Sequence, residues 1–473
     1  EAEAAYDESK KEPSAEEVLP AKRTVKKKGQ RDLDLKDFPE EILPPYSVSE
    51  EQLDAFYGKN NWRRMPDETY KRLRHEPESW TVEIHTVEVY VGTDGDHQDE
   101  FLRGNRPRDL LRNSIVTPSL LASILNVKYV NSSALHRIEQ EFQRNGVNIS
   151  RQTMSNWIVK CSQMYFTPFV ERMKQELLSL HVTQSDEIPT QVLADSDHSN
   201  SKCYMWVHRS GEFYTRRPIV IYEYQKGRDH QKPLDFYKDY KGILVTDSLQ
   251  QYHLVDKKLA YVTNANCWAH ARRDFADAVK AADKKDPSSV RQSAAYQALQ
   301  KIAEFYNADT ELKELSSKER LQKRQELIKP MVEEVFAWVK QQASDCTVPP
   351  KSKTGHGLNF VINQEKYLRV FLEDGDVPID NSASERAIRT FCLGKKNWMF
   401  HNTAKGASAS AMVYSISETA KLNNLRPYYY FKYILTELPK LCDERGNIDP
   451  TKLDYLMPWS DSLPDECRKP RRS

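Results

Sequence analysis

The chain has 473 residues, enough for roughly two to four domains and at least one sizeable core. Its 70 Lys and Arg stand against 69 Asp and Glu, so net charge singles out no partner, and no apolar run approaches the about 18 residues of a membrane span. Seven scattered cysteines, at 161, 203, 267, 346, 392, 442 and 467, include no CxxC pair; they exclude a disulfide framework and a cysteine zinc ribbon, and point to a reducing, cytoplasmic setting.

Residues 1–45 are charged and poor in aromatics, the composition of a disordered segment. The opening EAEAAYDESKKEPSAEE has neither a starting Met nor an apolar leader, and reads as a truncation, a processed end or an added remnant. Within this segment KRTVKKKGQR, residues 22–31, is either a solvated tail or a nucleic-acid arm. Residues 46–115 form a small strand-bearing module in which WTVEIHTVEVYVG (80–92) alternates apolar and polar side chains.

Helical patterns dominate 116–180: SLLASILNVKYV, SSALHRIEQEFQRNG and SRQTMSNWIVKC. The third follows the turn NGVNIS and opens on Ser150, Arg151, Gln152 and Thr153, as a helix-turn-helix recognition helix would. Arg151 and Gln152 are therefore candidate DNA contacts; a plain three-helix packing unit with a polar outer face is the other reading.

Strand patterns return in 181–286. KCYMWVHRS (202–210) and RRPIVIYEYQ (216–225) flank the turn signal SGEF and predict a hairpin. The amphipathic HQKPLDFYKDY precedes the apolar run GILVTDS (242–248), and YVTNANCWAH (261–270) reads as a strand entering a helix. That order predicts an α/β fold, a mixed sheet flanked by helices. Residues 287–345 are helical and highly charged, an apparent insertion into that unit; 346–437 completes the α/β part, and 438–473 is a tail.

Three carboxylates stand out. Asp186 precedes the hairpin, Asp247 closes the strand GILVTD, and ligands of sheet proteins gather where strands end. Glu385, in IDNSASERAIRTF, has two readings. Ser382-x-x-Glu385 fits a capping box, whereas a helical projection puts Glu385 and Arg389 at the edge of an apolar arc of Ala383, Ala387, Ile388 and Phe391, facing the core. Three converging carboxylates repel unless cations neutralise them, and hard oxygen ligands favour Mg²⁺ over zinc.

SDEIPTQVL, KCYMWVHRSGEF, GILVTDSLQQYH, CWAHARRDFADA and IDNSASERAIRTFCLGKKNWMF resemble, in order and spacing, the transposases of the insertion-sequence 66 family, bacterial enzymes of the Asp-Asp-Glu type. The resemblance runs from about residue 20 to about residue 460 and is densest between 183 and 437. It implies a ribonuclease-H-like core in which Asp186, Asp247 and Glu385 hold two Mg²⁺ ions, with Mn²⁺ as a substitute. It also implies metal-dependent cleavage of element ends, strand transfer of the freed 3′-OH into target DNA, homo-oligomers on double-stranded DNA, accessory transposition proteins and a bacterial, nucleoid-associated location. Cys267 and His270 match a Cys-x-x-His signature found after the second aspartate in several transposase families; a packed thiol and a hydrogen-bonded histidine is the alternative. In GKKNW, Lys395, Lys396 and Asn397 are candidate phosphate contacts, and Trp398 either stacks on a base or packs inward.

The chain departs from the family pattern beside each acid. Ile188 stands where Thr is usual, Ser248 where Gly is frequent and Ser382 where a second Asn is usual, and no cysteine precedes residue 161 to build the zinc module often found upstream. Two alternatives to an active transposase follow: a catalytically silent, transposase-derived DNA-binding protein, and a structure-selective nuclease on the same core.

Overall fold

A computed structural model describes residues 40–76, 79–195, 203–281, 287–345 and 348–469. The 22–31 basic run and nearly all of the segment expected to be disordered lie outside the described residues. The chain divides into two compact units: residues up to Val170 with Val192–Asp195 and everything from Leu393 on, and a second made of Glu171–Gln191 and Ser196–Cys392. Among the described residues no helix is long and apolar enough to cross a membrane.

The first unit begins with a small sheet. β1 (Glu40–Ile42) pairs in parallel with β3 (Ser79–Gly92), which also pairs antiparallel with β2 (Trp62–Glu76) and β4 (Phe101–Arg103). β3 is the alternating segment expected from its sequence. β2 carries too many charges to announce itself, and its Pro66 falls within the register shift between Met65 and Glu68, where a missing N–H is tolerated. Next come the three expected helices, Pro118–Leu125, Leu135–Arg144 and Arg151–Cys161. Ser150 caps the third, its hydroxyl accepting the Thr153 N–H at 3.2 Å. Helix Pro427–Glu437 packs on Pro118–Leu125. The 438–469 stretch buries Leu453, Leu456, Met457, Leu463 and Cys467.

The second unit is built on a five-stranded sheet in the order β7-β6-β5-β8-β9: β5 is Val182–Thr190, β6 Cys203–Ser210, β7 Val220–Lys226, β8 Gly242–Thr246 and β9 Val262–Asn266. β5, β6 and β7 are antiparallel neighbours; β8 and β9 run parallel to β5. The fold is thus mixed α/β, with the hairpin, β8 and β9 where the sequence put them. Helices cover both faces. Tyr237 and Tyr252, from helices Gln231–Tyr237 and Gln250–Lys258, reach the His208 and Ser185 side; Tyr222 donates to the Ala387 carbonyl of helix Ser382–Trp398 at 2.7 Å on the other.

The charged stretch 287–345 is helical, without a strand among its described residues. Its helices bury Ile302, Phe305, Val332 and Phe336 against Trp268, Phe275 and Val361 in one apolar cluster. Arg324, fully buried, fastens this layer: it pairs with Asp309 at 2.7 Å and donates to the carbonyls of Phe371, Asp374 and Val377.

Candidate active site

Strand register brings the first two acids together. Val182, Thr183 and Gln184 of β5 pair with Ile243, Leu244 and Val245 of β8, partners 61 apart in the chain, and Asp186 and Asp247 are also 61 apart. The pairing ends at Gln184 and Val245; two residues further on in each strand, Asp186 lies within β5 and Asp247 just past the carboxyl end of β8, on the face that Gln184 and Val245 share. Asp247 Oδ1 accepts the Leu249 N–H at 3.0 Å, turning the chain into the Gln250–Lys258 helix.

The third acid comes in on the helix that covers this face. Asn381 fixes its start: its backbone N–H donates to the Cys267 thiol (3.1 Å), its Nδ2 to the Ser185 carbonyl (2.7 Å), and its Oδ1 accepts from Gln184 Nε2 (3.2 Å). The Asn381 carbonyl takes the first helical bond, from Glu385 N–H, so Asn381 is the cap and Ser382 the first helical residue. This corrects the capping-box reading: Ser382 stands one position too late for it. Of the projected arc, Ala383, Ile388 and Phe391 are buried and Ala387 is half-buried; at its edge Glu385 is about a third exposed, while Arg389 is exposed instead of facing the core.

The acids sense one another. Burial first, then the charges of Glu187, Asp247 and Glu385, push the Asp186 carboxyl up to about 8, against one opposing hydrogen bond from the Glu187 N–H at 2.9 Å. Glu187, on the opposite face of β5, is also raised by burial and by Asp247, opposed by Tyr252 and Arg228. Tyr252 donates its hydroxyl to Glu187 Oε2 at 2.6 Å; Arg228 donates from Nε to Oε1 at 2.7 Å and from Nη2 to the same oxygen. His270 lies 3.9 Å from Glu385 Oε1, and among the described residues it is this imidazole, rather than Arg389, that comes within ion-pair range of the acid. Burial and Arg273 hold the ring's pKa below the usual histidine value, which favours the neutral form. Cys267 is a buried thiol pushed up to about 12 by burial, so the CWAH pair takes its packing role beside the site.

Among the described residues no three His, Cys, Asp or Glu side chains are gathered closely enough to hold a metal ion as they stand. The donor chemistry nonetheless suits a hard divalent cation: Asp186, Asp247 and Glu385 offer only carboxylate oxygens, and burial together with the charges of its acidic neighbours raises the Asp186 carboxyl.

The DNA-contact candidates all belong to the first unit. Arg151 opens its helix at the surface, its backbone N–H and guanidinium both turned toward Glu139. Gln152 is half-buried beside it, Lys395 is half-buried and Lys396 exposed. Asn397 donates to the Ser132 carbonyl at 2.8 Å. Trp398 is fully buried with the Lys128 ammonium 3.8 Å from its ring centre, so it packs inward and offers no platform to a base. Sequence reasoning passed over Gln184, Glu187, Arg228 and Tyr252. Adjacency to Asp186 was the one available signal, and it reached Glu187 alone.

Comparison with known proteins identifies the family. A family model described as "Transposase IS66 family" matches residues 113–409, well over half of the chain, and a second, "IS66 C-terminal element", matches residues 415–459. Similar curated proteins from Sinorhizobium fredii (strain NBRC 101917 / NGR234) include the uncharacterized protein y4qI, 27% identical over 376 residues, which are 77% of this chain and 66% of that protein. The uncharacterized proteins y4hP and y4jD are 26% and 23% identical over 73% and 75% of this chain, and 62% and 68% of their own lengths. The chain thus spans about two thirds of the relatives it matches. On the two family matches, the chain belongs to the IS66 family of transposases.

Proposed function

We propose that the chain is a DNA transposase whose second unit is a ribonuclease-H-like catalytic core, with Asp186, Asp247 and Glu385 as its metal-binding triad. The observation that carries this reading is the β5–β8 register, from whose last pair Asp186 and Asp247 each lie two residues further on, with Glu385 on the helix over that face. The sheet order, three antiparallel strands followed by two parallel ones, supports the core assignment. Mg²⁺ held by these acids would supply the positive charge that activates an attacking oxygen and stabilises a leaving oxygen at phosphorus. The protein's own part is placement. Asn381 ties the Glu385 helix to β5, the Leu249 N–H orients Asp247, and the Glu187 N–H orients Asp186. Cleavage at the element's end and attack by the freed 3′-OH on target DNA are both in-line transfers that depend on such positioning and need no covalent protein nucleophile.

Arg151, Gln152, Lys395 and Lys396 are the proposed DNA contacts of the first unit, with the Arg151–Cys161 helix as the recognition helix of a helix-turn-helix. A homo-oligomer would bring two element ends together. The test uses labelled element ends, Mg²⁺ or Mn²⁺ and a supercoiled target. Asp186→Asn, Asp247→Asn and Glu385→Gln should each lower cleavage at least about a hundredfold while leaving DNA binding intact. Near-parental cleavage by any one of them would remove that residue from the triad. DNA binding without cleavage by the parental chain would mark a silent relative, and cleavage of branched DNA without joining would mark a nuclease.

A further inference from the structure

Arg228 has a placement that neutralising its partner does not explain. It follows Gly227, whose positive φ of 83° turns the chain at the end of β7. β7 and β5 are both antiparallel to β6, so the ends of both open on the same sheet edge as Asp247. Three contacts fix the residue there. Gln251 Nε2 donates to its carbonyl at 3.0 Å, Tyr204 lies under the guanidinium at 5.6 Å, and Glu187 accepts its Nε and Nη2. Both donors go to one carboxylate oxygen, because Tyr252 holds the other.

The two partners are covered very unequally. The Glu187 side chain is 1% exposed, whereas that of Arg228 is 36% exposed. A buried carboxylate therefore anchors a cation that still faces solvent, at the sheet edge where the acid Asp247 also lies within its electrostatic reach, a poor neighbour for a phosphodiester without a cation beside it. We propose that Arg228 is a phosphate-binding residue of the cleavage site, gripping the DNA strand beside the triad, with Glu187 and Tyr252 as positioning residues that hold its guanidinium in place. The proposal rests on the transposase reading and adds to it a substrate contact outside the three acids. A planar guanidinium matches phosphate oxygens with paired, charge-assisted hydrogen bonds, which a lysine ammonium does not reproduce.

The experiment compares the parental chain with Arg228→Gln, Arg228→Lys and the double variant Glu187→Gln/Arg228→Gln on labelled element ends in Mg²⁺. Arg228→Gln alone leaves Glu187 buried without its cation, so a lost fold is an acceptable result for that variant. The double variant removes both charges and should recover the thermal midpoint. It should still cleave at least about tenfold more slowly than the parent. Its log–log slope of DNA affinity against salt should be shallower by about 0.7–0.9, the share of one phosphate contact. A folded double variant with parental cleavage overturns the proposal, and so does a slow one with parental slope, which would confine Arg228 to steadying Glu187. If the double variant does not fold, Arg228→Lys decides, since it keeps a cation opposite Glu187: a loss of about tenfold supports the phosphate contact and a parental rate overturns it. A parental chain that neither binds nor cleaves the ends sinks the transposase reading itself, a result distinct from all of these.

Discussion

Around Arg324 one guanidinium meets one carboxylate and three carbonyls, and the neighbouring Arg320 places its donors on the carbonyls of Leu312, Lys313, Leu315 and Gly375. Around Asp186 the count is lopsided: Asp186, Glu187, Asp247 and Glu385 interact, and the guanidinium engaged there, that of Arg228, is bound to Glu187. Both clusters lie in the second unit, and both withdraw charge from water. The first holds a helical layer to its neighbours, and its chemistry is complete. The second gathers acids with fewer cations than carboxyls, a cost to the fold that the proposed cation would offset. A balanced buried pair thus reads as architecture, and an unbalanced group as a place prepared for something else.

The largest effect should come from breaking the balanced cluster. Arg324→Ala leaves Asp309 charged and buried beside orphaned carbonyls, and should cost about 3–5 kcal/mol in urea unfolding. Replacing both partners, as Arg324→Met with Asp309→Leu, should return much of that loss. A single variant costing as little as a surface substitution would mean that the pair contributes nothing to the insertion's attachment.

A smaller, pH-dependent effect belongs to the unbalanced cluster. Folded Asp186 keeps its proton up to about 8, whereas an unfolded aspartate loses it near about 3.9. Between those values the folded state binds more protons, so stability is fully present below the lower value and falls as pH rises towards the upper one, at up to about 1.4 kcal/mol per pH unit. Asp186→Asn should flatten that slope in thermal melts. Saturating Mg²⁺ should raise the melting midpoint more at pH 8 than at pH 5, because proton and cation compete for the same carboxylate; equal shifts at both pH values would separate Asp186 from the cation.

The smallest effect is a calibration at the surface. Ser316 and Glu319 form a complete capping box, with the glutamate's pKa held low by bonds from the Ser316 side chain and backbone. Ser316→Ala should cost about 1 kcal/mol by the same unfolding measurement, with no change in cleavage.

Strands with regular patterns were legible. The β6–β7 hairpin, β8 running into Asp247 and β3 each show alternation or an apolar run between turn signals. β5 did not announce itself. VTQSDEIPT offers polar residues where a central strand is normally apolar, and it contains Pro189. Its polarity is accommodated by partners remote in sequence: Gln184 by Asn381, Ser185 by His208, Glu187 by Tyr252 and Arg228. Its proline lies beyond Gln184, where pairing with β8 has ended. Asp247 was legible as the end of its strand and Glu385 through its helical projection; Asp186 was expected at a strand end and lies instead within β5, paired with Val207, so the family resemblance was the signal for it. Arg228 was not legible, since only the antiparallel path β5–β6–β7 returns it to the edge of Asp247. Trp398 shows the reverse failure: an aromatic among lysines suggested nucleic acid, and Lys128, far upstream, was the cation it met.

The ladder joining β5 and β8 has a bearing on how such chains diverge. Asp186 lies four positions after Val182, and Asp247 four after that residue's partner Ile243. Loops between the strands are free to lengthen or shrink over evolutionary time without parting the acids, whereas one residue gained inside either strand would turn its aspartate to the far side of the sheet. What relatives should preserve is therefore the short count from each acid back to its own rung, and the long gap between the acids is the quantity free to drift.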